Sequence, residues 1–214
     1  MYITYLLLAV TILISVMAFN NDALKWKLMY NPYNVVHNNE WYRSFTHAFI
    51  HANWMHLIFN MYVLYGFGVQ SIPGGPYKYL SLEPKLIENY GPKGYLYFGC
   101  LYVGGILFST LLSLRRNRDN IHYNSLGASG AVMSVLFAYV LVNPNAELSF
   151  FFFPYPIPAY IIAPLILAME YYMSKRGGTG IAHDAHFAGA VFGIIFMIIV
   201  DYHLLLDFFS KIGT

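Results

Sequence analysis

The 214-residue chain carries 12 Lys and Arg against 10 Asp and Glu, a net charge of +2, and is 58% hydrophobic, 19% aromatic and only 10% charged. Soluble domains carry about 25% charged residues, so this balance indicates an integral membrane protein, expected to form a single domain over residues 1–214. The absence of a concentrated Lys/Arg run argues against nucleic-acid binding, and the single cysteine, Cys100, excludes an internal disulfide or a CxxC motif.

A bilayer core of about 30 Å needs roughly 20 apolar residues as a helix. Apolar runs separated by breakers and charges predict six helices, over residues 2–19, 51–69, 94–114, 127–142, 158–173 and 186–206. The first has no basic leader or cleavage site and is followed by Asn20, Asn21 and Asp22, so it is expected to be a retained span. The fourth is short for a full crossing, which suits a helix that begins below the membrane surface inside protein.

The loop 20–50 contains Trp26, Tyr30, Tyr33, Trp41, Tyr42 and Phe45, a pattern suited to the headgroup layer. Residues 72–92 and 143–158 are expected to be ordinary loops, the second anchored at the interface by residues 150–153. The connection 175–185, with Gly177, Gly178 and Gly180, is expected to be mobile.

If six helices alternate across the membrane, the second, fourth and sixth begin on the same side. Their first turns carry His56 and Asn60, Ser129, and His186. His56 and Asn60 are four residues apart, on one helix face and about 6 Å apart along the axis. His186, Gly189 and Gly193 form one stripe, and Gly130, Ser134 and Ala138 form a small-residue face on the fourth helix. Meeting of these two faces would bring Ser129 within hydrogen-bonding reach of His186.

A serine hydroxyl needs a base to become a nucleophile, and histidine titrates near working pH. His186 is the expected base. A tetrahedral acyl intermediate needs donors aimed at its oxyanion, and His56, Asn60 and the Ser129 backbone amide at a helix N-terminus are the candidates.

Each residue also has a plainer explanation. A membrane serine is usually a packing residue, His186 alone suits a hydrogen-bonded core group, and Asn60 alone suits a bridge between helices. The joint placement of the four at one depth is what favours chemistry. His47 and His51, also four apart, suggest a metal or haem pair, but no acidic third ligand or HExxH accompanies them, and bracing of the first loop is expected instead. His183 and Asp184 invite a triad with His186, although capping or solvation explains them without a fold-back. Glu170, near the end of the fifth run, is expected at the interface. Gly127-Ala128-Ser129-Gly130 is not the GxSxG elbow of soluble hydrolases.

Together these residues resemble the rhomboid intramembrane serine proteases. The resemblance rests on His51-Ala-Asn-Trp-Met-His56-Leu-Ile-Phe-Asn60, Gly127-Ala-Ser129-Gly130, and Ala185-His186-Phe-Ala-Gly189-Ala-Val-Phe-Gly193, in that order. It implies an all-α bundle of six transmembrane helices and a Ser129–His186 dyad without an obligatory acidic member. The oxyanion site would draw on His56, Asn60 and the Ser129 amide, with no cofactor or metal. The implied reaction is hydrolysis of peptide bonds in or near transmembrane helices of membrane-protein substrates. The resemblance also implies a first loop partly in the bilayer and residues 175–185 over the site.

Two positions depart from the family pattern. Met133 stands where many members have a tyrosine packed on the catalytic histidine, and Tyr42 separates Trp41 from Arg43. The minimal length resembles the basic bacterial form, expected in the inner membrane with the site opening outward. The Lys and Arg count opposes that orientation, with eight on the expected outer side and four on the other. The alternatives are a rhomboid-like pseudoprotease that binds membrane helices without cutting them, and a haem or ion carrier using His47, His51 and His56.

Overall fold

The computed structural model describes residues 2–70, 79–150, 153–176 and 180–212. Helix α1 (Ile3–Phe19) leads into a first loop built from three short helices, α2 (Asp22–Leu28), α3 (Pro32–His37) and α4 (Arg43–Thr46), and a 3-10 turn at His47–Phe49. Then follow α5 (Trp54–Gly68), α6 (Leu82–Tyr90), α7 (Lys93–Asn117) and α8 (Ser129–Val142). A hairpin, β1 (Glu147–Phe150) and β2 (Phe153–Pro158), precedes α9 (Ala159–Arg176), α10 (His183–Val200) and α11 (His203–Lys211).

The six longest helices, α1, α5, α7, α8, α9 and α10, fall on the six predicted runs. By length and composition α7 and α10 suffice to cross a membrane, and α1 and α8 are shorter apolar helices.

Asparagine sets several helix starts, because its side-chain oxygen accepts a backbone N–H that has no partner in the first turn. Asn21 accepts from Leu24, Asn31 from Asn34 and Asn53 from His56. The Asn53 cap starts α5 three residues later than the apolar run suggests, leaving His51 outside the helix. The predicted sixth helix is two helices. α10 begins earlier, at His183, and ends at Val200, where Asp201 leaves the helical conformation and accepts the His203 N–H that opens α11.

Two expected loops contain regular structure. Residues 82–90 form α6, whose buried Glu83 accepts Ile3 N, Thr4 N and the Thr4 hydroxyl, a carboxylate placed at the positive end of α1. Residues 147–158 form the antiparallel hairpin, with Glu147 opposite Pro158 and Leu148 opposite Ile157. The interfacial anchor expected at 150–153 falls largely outside the described residues, as do Gly177 and Gly178. Cys100 is exposed on α7.

Helix α8 is the centre of the bundle, with twelve of its fourteen residues buried. Between membrane helices packing is driven by close contact rather than by expulsion of water, so small residues decide where backbones meet. A Cβ on Gly189 would lie 2.0 Å from the Gly130 carbonyl oxygen, and one on Gly193 would lie 2.3 Å from the Ser134 carbonyl oxygen. The stripe on α10 therefore rests on the backbone of α8. Gly130 meets two neighbours, its backbone lying against Gly189 of α10 and the space of its missing side chain being filled by Ser109 of α7. The Ser134 hydroxyl reaches the carbonyls of Gly189 at 2.9 Å and Gly130 at 3.1 Å, adding a polar tie between α8 and α10.

Candidate active site

Ser129 is the first residue of α8, and the turn before it is held from three directions. Tyr30 and Ser125 exchange both backbone hydrogen bonds, at 3.0 Å each, pinning the approach strand to the first loop. Gly127 N donates to the His47 carbonyl at 2.9 Å, and Ala128 N donates to His51 Nε2 at 3.3 Å. His51 Nδ1 meets the Ser15 hydroxyl at 2.9 Å, and that hydroxyl donates to the Phe49 carbonyl. One hydroxyl carries one proton, so His51 Nδ1–H must donate to Ser15, which leaves Nε2 free to accept from Ala128. His47 Nδ1 is hydrogen bonded to the Arg43 carbonyl. Both histidines brace the loop, as the sequence suggests.

The first loop is itself fixed by buried Arg43, which donates to the carbonyls of Trp26 at 2.6 Å and Met29 at 2.9 Å and pairs with Glu40. Asn31 donates to the carbonyls of Ile121 and Tyr123, tying the loop to the segment that enters α8.

Gly127 has φ +117°, a conformation side-chain-bearing residues rarely adopt, and a Cβ there would lie 2.6 Å from His56 Cε1 and 2.8 Å from His56 Nε2. The His56 ring thus lies directly against the turn that leads into Ser129. Its Nδ1 accepts Ala52 N at 3.5 Å, which puts the ring proton on Nε2, the nitrogen beside that turn. Asn60, one turn along α5, is buried and donates to the His56 carbonyl at 2.8 Å. It hydrogen bonds neither Ser129 nor His186, and its amide retains a second N–H.

Across the turn from α10, His186 Nε2 stands 2.8 Å from Ser129 Oγ. The other ring nitrogen, Nδ1, is 3.1 Å from Glu170 Oε1 on α9, and the second Glu170 oxygen is 2.6 Å from His183 Nδ1. Glu170, expected at the interface, is buried within the protein and bridges two histidines one helical turn apart. Asp184 points away, accepting the Ser113 hydroxyl of α7 at 2.6 Å. Met133 packs among the apolar core residues. Behind Ser129 lies a small cavity of about 20 Å³ lined by His47, Ser109, Ser113 and Ser125 together with Leu126 and Ala185, partly polar and large enough for one water.

The sequence points to His183 beside His186 and to Glu170 separately, but not to the contact between Glu170 and the two histidines. The usable signal was a carboxylate inside an apolar run, since ionisable groups at membrane depth are costly and need partners.

A family model described as the Rhomboid domain matches residues 38–203, more than half of the chain. The chain belongs to the rhomboid family. The mitochondrial RHOMBOID-like protein 12 of Arabidopsis thaliana is 27% identical over 165 residues, 70% of this chain and 44% of that protein. The mitochondrial presenilin-associated rhomboid-like protein of Bos taurus is 29% identical over 149 residues, 69% of this chain and 35% of that protein. The chloroplastic Rhomboid-like protein 11 of Arabidopsis thaliana is 28% identical over 168 residues, 72% of this chain and 51% of that protein. The rhomboid chain thus spans about a third to a half of these relatives' lengths. Because they are organellar, they lend no support to the bacterial inner membrane expected from the resemblance.

Proposed function

We propose that this rhomboid is an intramembrane serine endopeptidase whose six long helices cross the bilayer and which cuts transmembrane protein substrates in or near their membrane helices. The observation that carries the reading is the 2.8 Å contact between Ser129 Oγ and His186 Nε2.

In this reading Ser129 Oγ attacks the scissile carbonyl carbon while its proton passes to His186 Nε2. The carbonyl π pair moves onto oxygen, and the oxyanion is met by the Ser129 amide at the start of α8, His56 Nε2–H and the remaining Asn60 N–H. On collapse the C–N bond breaks and His186 returns the proton to the departing amine. Water then attacks the acyl-enzyme with its proton going to His186, the ester C–O bond breaks, and Ser129 recovers its hydrogen. A partly polar pocket behind Ser129 suits the supply of that water. The extended peptide needed at the nucleophile would be reached by local unwinding of the substrate helix.

Purified wild-type protein is expected to react with a fluorophosphonate at Ser129 and to cleave a detergent-solubilised transmembrane substrate, both activities being lost in Ser129→Ala. Absence of labelling and cleavage in folded wild type would sink the reading in favour of a protein that binds membrane helices without cutting them. Cleavage by Ser129→Ala at the wild-type rate would remove Ser129 as nucleophile.

A further inference from the structure

We propose that Glu170 is a positioning residue for the proposed hydrolysis, so that this rhomboid works through a Ser129–His186–Glu170 triad backed by His183. The inference rests on the serine-protease reading and adds to it the device that holds the base.

His186 Nε2 must present a lone pair to the Ser129 hydroxyl, which requires the ring proton to sit on Nδ1. Glu170 Oε1, 3.1 Å from that nitrogen, accepts only, and so selects this tautomer. When His186 takes the serine proton it becomes an imidazolium, and the same carboxylate lies in place to stabilise the charge.

Glu170 needs its own support, because a long side chain inside a helical bundle has several rotamers. His183 provides it at 2.6 Å. The buried Nε2 of His183 has no hydrogen-bond partner among the described residues, which identifies Nδ1 as the protonated nitrogen, donating to Glu170. One carboxylate thereby receives two N–H bonds from one helix, three residues apart and so on one face of α10. The α9 carboxylate fixes the rotation of the α10 face that carries the base. This also answers the loss of an aromatic residue at position 133: the His186 ring is held from Glu170 and from the edge-on His183 ring, 5.9 Å away.

Glu170, His183 and His186 also offer ligand atoms all within 4.8 Å of one another, an arrangement able to hold a metal ion. The two short contacts account for both carboxylate oxygens with protons alone.

The test compares the rate of fluorophosphonate reaction at Ser129, and kcat and KM on a transmembrane substrate, for wild type, Glu170→Gln, Glu170→Asp and His183→Phe. Thermal unfolding in the same detergent is measured in parallel. Glu170→Gln preserves shape and is expected to lower kcat and the labelling rate at least 10-fold with KM within about twofold and an unchanged melting temperature. Glu170→Asp should recover part of the loss, and His183→Phe should show a smaller decrease. Wild-type kcat in folded Glu170→Gln overturns the inference while leaving the dyad standing. Failure of wild type itself to label overturns the underlying reading instead. Loss of wild-type activity on chelation, restored by zinc, would replace the positioning role by metal ligation.

Discussion

The His56 imidazole occupies the space in which a side chain at Gly127 would stand, 2.6 Å from the Cβ position at its nearest atom. Alanine at 127 would have to displace a proposed oxyanion donor and also adopt φ +117°. Gly127→Ala is expected to cost about 1–3 kcal/mol of stability from backbone strain alone. It should also slow Ser129 labelling by more than 10-fold. Labelling at the wild-type rate would show that His56 can move without consequence.

Contact between α8 and α10 predicts a sharp contrast between two glycines. Gly189→Ala drives a methyl into the Gly130 carbonyl, whereas Gly99→Ala on α7 meets only the Ile3 side chain at 3.7 Å. Overpacking costs typically about 1–3 kcal/mol, while relief of a helical glycine gains about 1 kcal/mol. Gly189→Ala is expected to lower the melting temperature and Gly99→Ala to leave it unchanged or raise it. Equal melting temperatures would mean that α10 can retreat from α8 at no cost.

Ser15→Ala removes the acceptor that His51 Nδ1 has among the described residues. Leaving a buried donor unpaired costs about 1–3 kcal/mol. A loss of stability of that size, with slower Ser129 labelling, is expected. Wild-type behaviour in both measurements would show that His51 holds Ala128 without this brace.

Burial pushes the His47 imidazole, in the first loop outside the spans, down to about 4, partly offset by its bond to the Arg43 carbonyl. An unfolded histidine titrates near 6.5, so between these values the unfolded state binds more protons. His47 therefore contributes full stability above about 6.5 and loses it as pH falls towards about 4, by ~3 kcal/mol at most. Thermal unfolding between pH 7.5 and 4.5 should show this loss, reduced in His47→Asn. An identical pH slope in the variant would remove His47 as its source.

What the sequence made legible was periodic. Helix-length apolar runs located the six long helices, and the small-residue stripes of α8 and α10 are visible in the spacing of Gly130, Ser134, Gly189 and Gly193. The misses have a common physical origin. α6 is short and has mixed polarity, so its place depends on Glu83 finding the α1 N-terminus, a contact about 80 residues away in sequence. Glu170 was misread for the same reason: its two histidine partners lie beyond a glycine-rich connection, and no local pattern reports such a pairing. The Ser109 contact of Gly130 is a further case, because spacing identifies a small face but not every neighbour that fills it.

Helix α1 ends before residue 38, where similarity to the family begins, yet its Ser15 hydroxyl steadies the histidine that holds Ala128, next to the proposed nucleophile. Glu83, inside the matched region, receives the first amides of α1 in return. The edge of recognisable ancestry therefore cuts through a working hydrogen-bond relay. A fragment trimmed to residues 38–203 would keep every residue of the proposed chemistry and lose several of the struts that aim it, Ser15, Tyr30 and Asn31 among them.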